Sequence, residues 1–283
     1  MIHIYVGCVE SEELAYRVLK YSIEKNTTYE TNITPLGESG IDIPVPADPK
    51  NRSRTTFSFQ RFLIPQLMGY KGKAIYLDSD MILFRDIADL YSKDVDSVTC
   101  RTHDYDTSVI LINCERSSWD IKKIVLDLDN QTTTYQKLFA DLQTSGPTIS
   151  SAWNAHDRLF DGNPHGYKKD QTFLLHYTTT KTQPWLARGH PLEDLWFKYL
   201  YEMLDLGIVS LEMLREAVEK LYLRPSILYQ IEHRLLSSAN LPLRQKQLDT
   251  GFVSPHGMKL LHQGRSRILN RIANNLYQFR NER

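Results

Sequence analysis

The sequence predicts an α/β fold, and two observations carry that expectation. Residues 2–7, IHIYVG, form a short, apolar, β-branched run of strand type. SEELAYRVLKYSIEKN follows, with Leu14, Val18 and Leu19 recurring at helical spacing among charges. A strand followed directly by a helix is how an α/β domain opens. Second, strand-like runs keep alternating with helical stretches to about residue 190, after which the pattern turns helical. The expected organisation is therefore an α/β domain over residues 1–190, with a helical region over 191–283 packed on it.

The elements follow in chain order. Ser11 can cap the first helix, and Glu13 sits early in it, where negative charge suits the helix dipole. Residues 35–56 hold four prolines and read as a long loop, of a kind that often serves function. FSFQRFLIPQLMGY reads as a helix in which Pro65 either kinks the chain or begins a new first turn. KGKAIYLDSDMILF is the central strand, and Asp86 caps a short helix over DIADLY. DSVTCR and TSVILINC are strands, while SSWDIKKIVLDL and TTTYQKLFADLQTSG are helical. SAWNAHDRLFDG reads as a loop, and QTFLLHYTT as a strand ending in a polar loop. PLEDLWFKYLYEMLDLG, SLEMLREAVEKLYL and PSILYQIEHRLLSSA are successive amphipathic helices. The basic tail KLLHQGRSRILNRIANNLYQFRNER has its own apolar spacing. It is read as a packed helix, with an anionic membrane surface or a homodimer interface as the alternatives.

Composition narrows the partners. Thirty-four basic residues balance thirty-four acidic ones, so nothing points to nucleic acid. Three cysteines without metal-type spacing read as reduced thiols, Cys8, Cys100 and Cys114. The first residues lack a signal-peptide pattern, and no apolar run is long enough to span a bilayer. A cytoplasmic protein is expected, with contact to the inner face of a membrane as the variant the basic tail allows.

The chemistry centres on AIYLDSDMILF, residues 74–84. If the strand runs through both aspartates, Asp78 and Asp80 point to one face, because side chains alternate with period two. Two unpaired carboxylates on one buried face repel each other and cost several kcal/mol each in desolvation. A divalent cation removes that conflict, and hard oxygen ligands suit Mn²⁺ or Mg²⁺. At the carboxyl end of a strand in an α/β sheet, the pair stands where ligands usually bind. D-S-D by itself equally well ends a strand in a turn. His176 closes an apolar strand in LLHYTTTKTQPW, and a lone histidine of that kind is ordinarily a hydrogen-bonded core residue.

Taken together, these motifs resemble the family 8 glycosyltransferases, retaining enzymes of GT-A fold. The resemblance rests on RFLIPQL, then YLDSDM followed by DIADL, then WNAHDRL and HYTTTKTQPW, and it covers residues 2 to about 190. It implies that Asp78, Asp80 and His176 bind Mn²⁺ or Mg²⁺ against the diphosphate of a nucleotide-sugar, usually a UDP-sugar. It implies further that Arg61 approaches phosphate or sugar, and that Val6, Gly7 and Cys8 meet the nucleoside, helped by Tyr16 or Arg17. Ser79, between the two acids, joins the donor-binding set. Trp153 and Asn154, with Asp157, line the ligand on its acceptor side.

The sequence also departs from the family pattern. Thr179 replaces the glycine of the histidine motif, which is one residue longer before Pro184. Gln183 stands at the lysine position, leaving Lys181 as the substitute. In YDTSVILIN, Asp106 replaces asparagine and Ser108 replaces glycine, and Asp106 is the candidate nucleophile by position alone. The implied activity is metal-dependent sugar transfer to an acceptor the sequence does not name, whether glycan, lipid-linked or small molecule. One alternative is a non-catalytic nucleotide-sugar binder of the same fold. Another is a haloacid dehalogenase-type phosphatase, which would need the D-x-D in its first strand.

Overall fold

The computed structural model describes residues 1–52, 58–103, 106–144, 146–158 and 165–254. The chain divides into two compact units, Met1–Thr178 and a second that begins at Thr179.

The first unit is built on a five-stranded sheet. Strand β1 (Ile2–Gly7) leads into helix α1 (Glu13–Asn26), which returns the chain to β2 (Thr31–Pro35). A 3₁₀ turn over Gln60–Leu63 continues into the single-turn helix α2 (Ile64–Leu67). Pro65 falls in the first turn of α2, where its missing N–H breaks no helical bond, so the new-turn reading of that proline holds. Strand β3 (Lys73–Asp78), strand β4 (Met81–Leu83) and helix α3 (Ala88–Tyr91) follow. Ile87, rather than the expected Asp86, stands at the N-cap of α3, and Asp86 just before it accepts the Ala88 N–H at 2.9 Å. Strands β5 (Thr99–His103) and β6 (Asp106–Asn113) precede helices α4 (Ile121–Asp129) and α5 (Tyr135–Thr144).

The sheet order is β2-β1-β3-β6-β5. β1 is parallel to both β2 and β3, whereas β6 runs antiparallel to β3 and to β5. Alternation distributes side chains to two cores. Ile4, Val6, Ile75, Leu77, Val109 and Leu111 pack with Leu19 and Ile23 of α1. Tyr5, Tyr76, Ile110 and Ile112 pack instead with Phe62, Ile64 and the α4 residues Ile121 and Val125. With both faces covered, the central strands read as near-continuous apolar runs, and that is why they stand out in the sequence.

Three sequence expectations need correction. KGKAIYLDSDMILF is not one strand but two: β3 ends at Asp78, the chain bends at Ser79 and Asp80, and β4 joins a different sheet. That second sheet has the order β4-β8-β7, with β7 at Ala155–His156 and β8 at Leu174–His176. SAWNAHDRLFDG is not loop throughout, since Ser151–Asn154 forms a 3₁₀ turn that feeds β7. The edge strand β2 was not anticipated, because TNITP is half exposed and has no continuous apolar face.

The second unit holds helices α6 (Glu193–Asp205), α7 (Leu211–Glu219), α8 (Ile227–Glu232) and α9 (Leu243–Gln247). α6 buries Trp196, Phe197, Leu200 and Met203; α7 buries Leu214; α8 buries Ile227 and Ile231. Ser210 caps α7 by accepting the Met213 N–H at 3.2 Å. The basic tail lies outside the described residues. Among those described, no helix is long and apolar enough to cross a membrane.

Gly146 tests how tightly the segment before β7 packs on β5. A Cβ there would stand 1.7 Å from the Thr99 carbonyl oxygen and 2.5 Å from Ser97 Oγ. Gly146→Ala is expected to destabilise the protein by about 1–3 kcal/mol, the usual cost of overpacking. A urea unfolding midpoint equal to that of the parent would show that this packing is absent in solution.

Candidate metal and donor site

The site begins with a register. In the parallel pair β1–β3, Gly7 lies opposite Asp78, so the carboxyl ends of both strands are side by side. Crevices outside such strand ends are where open α/β sheets bind ligands. Val6 and Cys8 are buried there. The Cys8 thiol is pushed up to about 12, first by burial and then by the neighbouring Glu12, Glu13 and Glu38 carboxylates. It is therefore an inert thiol rather than a reactive one. Gly37 lets the next turn close over this strand end, since a Cβ would come 2.9 Å from the Cys8 carbonyl oxygen.

A second register brings in the histidine. β4 pairs antiparallel with β8, placing Met81 opposite His176. The strand leaving the D-S-D bend is thus zipped to the strand ending in His176. The Tyr177 N–H donates to the Asp80 carbonyl at 2.9 Å and fastens the same corner. One donor atom each from Asp78, Asp80 and His176 lie within 4.8 Å of one another. His176 Nε2 stands 3.1 Å from Asp80 Oδ1.

The surrounding bonds orient this triad. His176 Nδ1 lies 2.9 Å from the Asn154 side-chain oxygen, which can only accept, so Nδ1 bears the proton. Nε2 is then the nitrogen turned to the carboxylates, the arrangement a metal-binding histidine needs. Burial alone would lower the His176 pKa. The adjacent Asp80 carboxylate, with Asp106 and Asp78 behind it, overrides that and raises it to about 9. Tyr76, two residues before Asp78 on the same strand face, donates to Asp78 Oδ1 at 2.6 Å. Arg61 reaches the same oxygen at 3.7 Å and the Tyr76 hydroxyl at 3.1 Å. Its other nitrogens hold the Ser58 and Thr107 carbonyls. Burial raises the Asp78 pKa, Arg61 opposes that rise, and Asp80 adds to it.

The donor set fits a hard divalent ion. Two carboxylates and one imidazole converge, and a third acid, Glu12, lies against them. Glu12 accepts from Ser79 Oγ at 3.3 Å and from the Val9 N–H at 3.4 Å. Its pKa climbs to about 8, first through burial and then through Asp80 and Asp78. Three acids with too little compensating charge form a cluster that a cation would settle.

The other expected residues fall in different places. Asn154 is fully buried and belongs to the site through His176. Trp153 packs in the core edge-on to Phe173, at 5.2 Å between ring centres, and so anchors the turn that carries Asn154. Ser79 is buried within the bend. Asp157 accepts from the Thr178 hydroxyl at 2.8 Å, fastening the chain just past His176. Arg17 lies on α1, paired with Glu13 at 2.7 Å, and Tyr16 on the same helix is buried in the core. Lys181 lies in an exposed turn of the second unit. Asp106 is engaged on both oxygens: by the Ser108 N–H at 2.7 Å, and by Asn154 Nδ2 at 3.0 Å and His156 Nε2 at 3.1 Å. Glu12 and Tyr76 escaped the sequence reading. Tyr76 was accessible in principle, since it stands two residues before Asp78 on a strand; Glu12 is brought in only by the fold.

In the metal-free protein Glu12 should set a pH dependence. Its folded pKa lies above its ordinary 4.5, so the native state keeps a proton that the unfolded chain releases. Between those two values stability falls as pH rises. With EDTA present, Glu12→Gln is expected to raise Tm over the parent at pH 8.5 and to lose that advantage near pH 4. Parallel Tm profiles for the two proteins would contradict this.

Comparison with known proteins agrees with the architecture. No family model matches the sequence. Over 106 residues the chain is 35% identical to Protein CDI of Arabidopsis thaliana, a match spanning 36% of this chain and 41% of that protein. Among solved structures, the glycosyltransferase GlyE of Streptococcus pneumoniae TIGR4 aligns over 70% of this chain and 59% of its own, with TM-score 0.50 and 16% identity. The bifunctional glycosyltransferase WbbM aligns over 70% and 49%, with TM-score 0.51 and 12% identity. An active-site mutant of LgtC aligns over 71% and 95%, with TM-score 0.50 and 14% identity. The chain therefore spans less than two thirds of the length of Protein CDI, GlyE or WbbM. What these likenesses establish is the fold: a mixed α/β architecture matching GT-A glycosyltransferase structures.

Proposed function

We propose that the protein is a metal-dependent glycosyltransferase that moves a sugar from a nucleotide-sugar, a UDP-sugar, to a hydroxyl acceptor with retention of anomeric configuration. The observation behind this reading is the convergence of Asp78, Asp80 and His176 beside the paired carboxyl ends of β1 and β3. Asp78, Asp80 and His176 would hold Mn²⁺ or Mg²⁺. When bound, the ion would supply positive charge to the diphosphate leaving group.

The chain's own residues do the positioning. The strand end at Val6, Gly7 and Cys8 offers backbone and a close approach for the nucleoside. Tyr76 and Arg61 clamp Asp78 from behind, and Asn154 fixes the His176 tautomer. Asp106, with both oxygens engaged, suits an orienting role better than a nucleophilic one. Retention then follows from front-face attack: the acceptor oxygen bonds to the anomeric carbon, the bond from that carbon to the phosphate breaks, and the departing phosphate takes the acceptor proton. In such a reaction the protein contributes mainly position and electrostatics.

The direct test is UDP release from a panel of UDP-sugars, with Mn²⁺ and with EDTA, alongside calorimetric binding of UDP. Metal-dependent release from one sugar is expected, lost in Asp80→Ala. UDP binding that ignores both Mn²⁺ and Asp80→Ala would refute the assignment. Asn154→Ala, which removes the bond to His176 but no metal ligand, is expected to weaken Mn²⁺-dependent UDP binding by about 10–100-fold. Unchanged affinity in a folded Asn154→Ala protein would remove Asn154 from the site.

A further inference from the structure

We propose that His103, Asp106 and His156 form a second metal site, for a zinc-type divalent transition metal, beside the first. His103 ends β5 and Asp106 begins β6, and the two face each other in the β5–β6 register. His156 ends β7, which is parallel to β8 and sets His156 opposite His176. One donor atom from each of the three residues lies within 4.8 Å of the others.

The bonding of His103 points to a ligand. Its Nε2 lies 2.8 Å from the Asn154 backbone carbonyl, which can only accept, so Nε2 bears the proton. Nδ1 is left with a bare lone pair, buried and without a hydrogen-bond partner, in a residue only 7% exposed. A ring that donates one N–H to a backbone carbonyl and keeps its other nitrogen bare is the usual state of a metal-binding histidine. Asp106 is likewise held in place by the Ser108 N–H and the Asn154 amide. The Asp106 and His156 side chains retain 17% and 19% exposure, which gives an ion a way in.

The donor types separate the two sites. Two imidazoles and one carboxylate suit zinc with an open fourth position. Two carboxylates and one imidazole suit a harder ion. Asn154 connects them through its carbonyl to His103, its amide nitrogen to Asp106 and its amide oxygen to His176. An ion on His103, Asp106 and His156 would therefore brace the residue that orients His176. The inference stands whether or not the neighbouring site serves sugar transfer.

The test uses the full chain and no nucleotide. Protein stripped with EDTA is equilibrated with Zn²⁺ in the presence of excess Mg²⁺, passed through gel filtration and assayed for metal. One zinc per chain is expected in the parent and in Asp80→Asn. A loss of at least about 10-fold in zinc affinity is expected in His103→Gln and in His156→Gln, with circular dichroism reporting their folding. X-ray absorption on zinc-loaded parent protein gives a readout free of any variant: two imidazole ligands are expected here, against one at Asp78, Asp80 and His176. No retained zinc, zinc lost only in Asp80→Asn, or a single imidazole ligand would each overturn the proposal.

Discussion

The structure depends on one change of direction. At Ser79 the chain leaves the five-stranded sheet and enters the three-stranded one, so the two aspartates straddle the joint. Had β3 continued, Asp80 would have stayed on a sheet whose neighbours are β1 and β6. Instead, β4 pairs with β8, and a histidine nearly a hundred residues away arrives opposite Met81. Backbone hydrogen bonds thus hold the triad together, and the register of a three-residue ladder sets the spacing of the ligand atoms. A slip of one residue would turn His176 to the other face.

Negative charge sets the second constraint. Glu12, Asp78 and Asp80 meet in partly buried surroundings, with Arg61 as the cation that reaches Asp78. The family resemblance implies that Arg61 approaches phosphate or sugar. The geometry gives it several protein partners first: Ser58, Thr107, Tyr76 and Asp78. An arginine so held is a fixed counter-charge that opposes the burial-driven rise in the Asp78 pKa and keeps the carboxylate aimed. It leaves Asp80 and Glu12 to be balanced by His176 or by an ion. Protonated His176 can play that part alone, but as a metal ligand it must give up the Nε2 proton. Metal affinity is then coupled to that proton, and the His176–Asp80 bond is what an incoming ion displaces.

Much of this was legible in the sequence, and the limits have physical causes. Strands buried on both faces announce themselves as apolar runs, so β1, β3 and β6 could be read directly. The helices with one buried stripe, α1, α4 and α6, were equally plain. β2, half exposed at the sheet edge, gave no such signal. The bend at Ser79 was invisible because YLDSDMILF keeps strand character on both sides of it. Asp78, Asp80, His176 and Asn154 could be singled out from motifs, and the fold gathers them. Glu12 could not, because the turn after β1 brings it beside Asp80 with no local pattern to mark it. His103 and His156 were ordinary residues until the β5–β6 and β7–β8 registers placed them together.

Asn154 explains why so short a segment as β7 is built with such care. Its amide has one acceptor and two donors, and its backbone adds a carbonyl. Those groups are directed to three side chains on three different strands: His176 on β8, Asp106 on β6 and His103 on β5. Aspartate in its place could accept from His176 but would repel Asp106. Alanine would take one bond from Asp106 and leave His176 Nδ1 without its partner in a buried setting, where an unsatisfied polar group costs about 1–3 kcal/mol. Only an amide gives each of these neighbours a complementary partner at once. Trp153, packed in the core on one side of Asn154, and the Ser150 cap on the 3₁₀ turn before it, hold the amide to that single orientation. The two candidate ion sites are therefore one polar network. Moving a ligand on either side changes the bonds available to the other through a residue that touches neither ion.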